Sequence, residues 1–118
     1  MMFVRFPLDQ LELMPFEAGA PLAERLHSGA PQFRTWTFEE TPDSKVFAGV
    51  WESTPGKWRI TYDEWEYCSI LSGVSILTQD GEAPQRVGPG DAFAIQQGFE
   101  GTWEVIETTR KLFVVRLL

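Results

Sequence analysis

The residues of this chain that can do chemistry are few. It has one histidine, His27, and one cysteine, Cys68. Zinc sites built from imidazoles and thiolates need several such ligands, so that class is excluded. A Ser-His-Asp or Cys-His nucleophile would have to use His27. That residue closes a stretch with helical signals: Pro21 in the first turn, Leu22, Ala23 and Leu26 on one side, and Gly29 where a cap is wanted. The spacing predicts a short helix over 21–27, with His27 at its C-terminus favouring the dipole there. Cys68 reads as a small packed apolar group, because a reactive thiol needs a positive neighbour or a base. A lone cysteine forms no internal disulfide, so nothing argues for an oxidising compartment. Carboxylates, tyrosines and cations are what remain.

Those groups sit in a chain of 118 residues, the length of one domain, here expected to span residues 1–118. Apolar residues make up 43%, with nine Phe, five Trp and two Tyr, enough to bury a core without staples. The net charge is −7 and uneven: residues 1–59 carry eight acids and six bases, and residues 60–118 carry nine and four, so the second half holds −5 of the total. No Lys/Arg cluster offers the footprint of a nucleic-acid or anionic-membrane binder. The N-terminal stretch is apolar but interrupted by Arg5, Pro7, Asp9 and Glu12, unlike a secretion signal or a membrane span. A cytoplasmic protein is expected.

The elements that must position the chemistry are short and alternate with period two from residue 32 onward. Strands are expected near 33–38, 46–52, 57–62, 66–71, 74–79, 85–88, 92–95, 102–106 and 111–117, with a further one over 1–6 and an irregular arm from Pro7 to Ala18. Pro55-Gly56, Ser72-Gly73, Asp80-Gly81 and Pro89-Gly90 punctuate them. Gly88, Gly90 and Gly98 are turn devices rather than a phosphate cradle, which would need a following helix. Many short strands at this spacing argue for an all-β antiparallel sandwich or barrel.

Two stretches carry more than strand signal: Tyr62 to Gly73, with the core Glu66-Tyr67-Cys68-Ser69-Ile70-Leu71-Ser72-Gly73, and Gly88 to Gly98. Sixteen residues separate Gly73 from Gly90. With Trp51, Pro55-Gly56, Trp103-Glu104-Val105 and Arg110-Lys111, this ordered set resembles the paired motifs of the cupin superfamily. It is most similar to small cupins related to the ureidoglycine aminohydrolase domain and the ethanolamine-utilisation cupin. The resemblance covers roughly residues 45–115. It implies a double-stranded β-helix of jelly-roll type over 32–118, preceded by an arm and short helix over 1–30.

Metal-binding cupins converge three histidines and a glutamate inside the barrel. The resemblance keeps only Glu66: the first two histidine positions fall at Arg59 and Thr61 or at Ile60 and Tyr62, and the third falls at Gly101. One carboxylate gives a transition metal too few ligands, so neither a metal nor another cofactor is expected. Alternation puts Glu66 and Cys68 on one strand face, Gly101, Trp103 and Val105 on another, and Lys111 with Phe113 and Val115 on a third. The resemblance turns these faces toward the barrel mouth. There Glu66 is the candidate acid or base, with Lys111 or Arg59 as its cation, and Arg59, Tyr62, Cys68 and Trp103 are candidate ligand-binding residues. Arg59 and Tyr62 cannot both point inward from a regular strand. Each residue also has a structural reading: Glu66 as a buried hydrogen-bond acceptor, Lys111 as a solvated strand-end charge, Trp51, Trp58 and Trp103 as core.

The expected function is a metal-free small-molecule-binding cupin with its pocket centred on Glu66. The alternatives are a metal-independent enzyme on a small polar metabolite and, behind both, a metal-dependent aminohydrolase. The expected partners are a small-molecule ligand and a second copy of the chain, paired through the N-terminal arm.

Overall fold

The computed structural model describes residues 2–118. Its strands are β1 (Glu17–Gly19), β2 (Leu26–Gly29), β3 (Phe33–Glu40), β4 (Val46–Ser53), β5 (Gly56–Thr61), β6 (Trp65–Gln79), β7 (Gln85–Val87), β8 (Ala92–Ile95) and β9 (Glu100–Arg116). All pairings are antiparallel. The long strands β6 and β9 pair along most of their length and each serves both layers of a curled sheet. One layer runs β1-β3-β4, then the second half of β9, the first half of β6, and β8. The other runs β2-β5, then the first half of β9, the second half of β6, and β7. This is an all-β jelly roll, the architecture that the resemblance implies.

Two expected turns are bends instead. Ser72-Gly73 does not separate two strands: β6 continues through it, with register shifts between Ile70 and Ser75. Gly73 has a φ of +85°, and a Cβ there would lie 2.0 Å from the carbonyl oxygen of Thr108. Only glycine lets β6 cross between layers so close to β9. The strands expected over 102–106 and 111–117 are likewise the two halves of β9.

The N-terminal region departs further from expectation. The helix expected over 21–27 is reduced to one 3-10 turn at Ala23–Arg25, after which the chain extends into β2. A seven-residue helix is marginal alone, and the edge of β5 offers Leu26–Gly29 backbone partners. His27 therefore lies exposed on a strand, not at a helix end. No strand forms over the described part of 1–6, residues 2–6. The arm instead crosses the outer face of the first layer: Phe6 packs on Phe38 at 5.4 Å between ring centroids, and Phe16 on Trp36 at 5.8 Å. Within it, Leu11–Leu13 forms a 3-10 turn, and the Leu11 carbonyl accepts the indole N–H of Trp36 at 3.1 Å.

That crossing divides the core in two. Leu11, Trp36 and Val50 form a cluster under the arm. Trp58, Cys68, Leu77, Ile95, Trp103 and Val105 fill the space between the layers. Burying each such large apolar side chain contributes roughly 1.5–3 kcal/mol. Among the described residues, no helix is long and apolar enough to cross a membrane.

Candidate functional site

The inward faces of β4, β6 and β9 bring the chemistry together. Trp51 of β4 stands opposite Lys111 of β9, and Lys111 stands opposite Ile70 of β6. Glu66 lies four residues before Ile70 on the same face, about 13 Å along a strand at roughly 3.3 Å per residue. The long lysine side chain and the carboxylate close that gap over Cys68, which sits between them. Lys111 Nζ donates to Glu66 Oε2 at 3.0 Å and approaches Cys68 Sγ at 3.7 Å. The same ammonium lies 4.7 Å from the Trp51 ring centroid and 4.5 Å from that of Trp103. The second carboxylate oxygen, Oε1, accepts the hydroxyl of Tyr62 at 2.5 Å.

Burial sets the electrostatics. The side chains of Lys111 and Glu66 are each only 6% exposed. Burial alone would lower the Lys111 ammonium, but the facing Glu66, with Cys68 behind it, outweighs that and holds it above its ordinary value. Burial also raises Tyr62 well above the usual tyrosine range, with Glu66 adding to the effect, so its hydroxyl is a donor at neutral pH. The Cys68 thiol is pushed up to about 12, chiefly by burial and against the pull of Lys111. It is a packed thiol, not a nucleophile.

Trp103 is fixed from behind by a buried polar chain. Its indole N–H donates to Ser75 Oγ at 3.0 Å, and Ser75 Oγ shares a 2.8 Å hydrogen bond with Thr109 Oγ1. In front of the ion pair opens a cavity of about 320 Å³, walled by Phe33, Trp51, Trp58, Tyr62, Trp103 and Phe113, with Glu64, Glu66 and Lys111 as its charged members. A larger groove, about 730 Å³, runs along β7 and β8, but its charged residues Glu82, Arg86 and Asp91 are all exposed. Of these two, the smaller cavity is the one lined by buried charged residues, Glu66 and Lys111, and it is the candidate site.

Of the residues singled out in the sequence, Glu66, Lys111, Tyr62, Cys68 and Trp103 meet in this region. Arg59 does not. It lies on the opposite face of β5 from Trp58 and Ile60, and it forms a paired, exposed salt bridge with Asp80 at 2.6 Å. Between Arg59 and Tyr62, the tyrosine takes the inward place. Glu64, Phe33 and the Ser75–Thr109 support were not legible as site residues. Phe33 and Thr35 alternate inward on β3, and Tyr62, Glu64 and Glu66 alternate in sequence, which is the signal that would have found them.

The family description "EutQ-like cupin domain" matches residues 35–113. The chain belongs to the EutQ-like cupin family. Solved structures agree on the fold. A protein of unknown function from Pseudomonas syringae pv. tomato is 25% identical with a TM-score of 0.79, over 87% of this chain and 45% of that one. The EutQ protein of Clostridium difficile is 17% identical with a TM-score of 0.65, over 84% and 80% of the two chains. Ectoine synthase from P. lautus is 14% identical with a TM-score of 0.65, over 79% and 69%. This chain thus spans less than half the length of the Pseudomonas protein. No curated protein matches it.

A metal of the kind cupins hold does not fit this EutQ-like cupin. The third histidine position is Gly101, where even a Cβ would lie 2.1 Å from the carbonyl oxygen of Thr78. An imidazole there would require the β6–β9 pairing to open. Both oxygens of Glu66 are already engaged, by Tyr62 and Lys111. Among the described residues, no group of three or more His, Cys, Asp or Glu is placed to hold an ion.

Proposed function

We propose that this EutQ-like cupin binds a small molecule in the cavity of Trp51, Trp58 and Tyr62, with the Glu66–Lys111 pair as its polar floor. The observation that carries this reading is the pair itself, two buried charges at the wall of an aromatic cavity. A purely structural pair could be replaced by apolar residues without loss of stability. A pair facing a cavity offers a ligand both free lone pairs of Glu66 and an ammonium N–H. A ligand screen by thermal shift, over amides, ureido acids, amines, sugars and phosphorylated metabolites, tests it. A binder at a hundredfold its Kd raises stability by about 2.7 kcal/mol, and Glu66→Gln abolishes that rise. A ligand whose shift survives Glu66→Gln would place binding elsewhere.

A second reading, metal-independent turnover, is favoured by the short Tyr62–Glu66 hydrogen bond. Through it the Tyr62 hydroxyl donates to Glu66 at the cavity wall, and in this reading Glu66 is the acid or base, with Tyr62 positioning its carboxylate. Turnover of the screened ligand, lost in Tyr62→Phe while binding remains, distinguishes enzyme from binder. We also propose a homodimer involving the arm, whose Met2, Phe3 and Val4 are exposed apolar side chains. Light scattering of a variant lacking residues 1–8 shows half the mass if the arm makes the contact; an unchanged mass removes the arm from it.

A further inference from the structure

The charged residues around the cavity do not balance. Two carboxylates, Glu64 and Glu66, face one ammonium, Lys111, which leaves one negative charge. Lys111 is already committed to Glu66. The other nearby cations point away: Arg59 pairs with Asp80, and Arg34 and Arg110 pair with Glu12 and Glu52 on the outer face. Among the described residues, no cation forms an ion pair with Glu64. Its carboxyl is held above the usual range by partial burial and by the charges of Glu66 and Asp63, as expected of a carboxylate without a counter-ion.

The walls have the complementary property. Phe33, Trp51 and Trp58 pack mutually with ring centroids 5.1 to 6.1 Å apart, and Trp51 contacts Trp103 edge-on at 5.4 Å. The faces of Trp51 and Trp103 already hold one ammonium, that of Lys111, at 4.7 and 4.5 Å. Indole faces attract cations through their quadrupole, most strongly where water is excluded. An anionic ligand would meet two carboxylates and no free cation. A neutral one would leave Glu64 uncompensated.

We propose that the ligand of this cavity is a small organic cation, an amine or quaternary ammonium, held against the aromatic wall with Glu64 as its counter-ion. This deepens the assignment of the cavity as a ligand site and rests on it. A volume of about 320 Å³ limits the ligand to a small metabolite. Lys111 on the floor repels the ammonium, so the charged end lies toward Glu64 and the uncharged end toward Glu66.

Three probes of matched shape and different charge test this on the full chain: choline, 3,3-dimethylbutan-1-ol and 3,3-dimethylbutanoate, by calorimetric titration. Choline is expected to bind at least about tenfold more tightly than the alcohol, and the carboxylate not to bind. Glu64→Gln, in a half-exposed bend, is expected to remove that preference by weakening choline. Equal or tighter binding of the alcohol or the carboxylate overturns the inference, as does choline affinity indifferent to Glu64→Gln. If the wider screen then yields a neutral or anionic ligand that Glu66→Gln abolishes, the cavity reading stands and only its charge selectivity fails. If no compound of any charge binds, both fail.

Discussion

Arg110 and Lys111 are sequence neighbours on β9 that face opposite sides of one sheet layer, and each reaches a carboxylate. Lys111 turns inward to Glu66, both side chains 6% exposed, between two indole rings and a cavity. Arg110 turns outward to Glu52, which it shares with Arg34, and both guanidiniums also bind Glu12 of the arm. The two guanidiniums lie over the Trp36 ring. The planar forks of arginine suit a bidentate, stacked network that fastens a segment to a sheet. The lysine is a compact point charge, held by one carboxylate and two indole faces. The outer cluster fastens the arm to the sheet, whereas the inner one stands at the wall of a cavity.

The largest expected effect comes from breaking the inner pair on one side only. Lys111→Met leaves Glu66 buried with Tyr62 as its sole partner, and a loss of about 3–5 kcal/mol is expected in urea unfolding. A loss under about 1 kcal/mol would mean that the pair is far more hydrated than its burial shows. Glu52→Gln, on the outer face, is expected to cost less, about 1–3 kcal/mol, because Arg34 and Arg110 retain some access to water.

pH separates the two clusters by sign. Lys111 is raised above its ordinary 10.5. Its contribution to stability is therefore complete below that pH and is lost as pH rises through the folded value. Glu52 is lowered below its ordinary 4.5: burial opposes this, but Arg34 and Arg110 prevail. Its contribution is present above pH 4.5 and is lost as pH falls through the folded value. The stability gap between wild type and a Glu66→Gln/Lys111→Met double variant should thus change in strongly alkaline solution, and the gap to Glu52→Gln should close in acid. If both gaps respond to the same end of the pH scale, the distinction between the clusters fails.

The smallest effects are local. Glu12, held to about 2 first by Arg34 and then by Arg110, is exposed. Glu12→Gln is expected to speed limited proteolysis of the arm, with little change in global unfolding. Cys68 should resist thiol reagents in the native protein at pH 8 and react once the chain is unfolded in urea; native labelling at the rate of a free thiol would refute its assignment as a packed group.

Much of the barrel was legible because its strands alternate cleanly, and alternation fixes which side chain faces inward. The same parity gave Glu66 with Cys68, and Lys111 with Phe113. It could not show that Ser72-Gly73 bends one strand rather than ending it, since positive φ serves both purposes. The helix signals over 21–27 misled, because the edge of β5 draws Leu26–Gly29 into a strand and leaves a single 3-10 turn. Arg59 was misplaced because two parities were left open across 59–62, and Asp80 on the outside offered the guanidinium an exposed partner. Glu64 escaped notice because it lies in the bend between β5 and β6, outside both expected strands, although the alternation of Tyr62, Glu64 and Glu66 points to it. The closing of Gly101 depends on the approach of the Thr78 backbone from β6, a tertiary fact that spacing along the chain does not carry.

The pairing of Lys111 with Glu66 is measured most directly by a double-mutant cycle of Glu66→Gln and Lys111→Met in urea unfolding. A strongly coupled pair predicts an interaction energy of about 1–3 kcal/mol, with the double variant more stable than the sum of the single losses implies. Additive losses would show that the two side chains do not meet in solution, and would contradict the site described above.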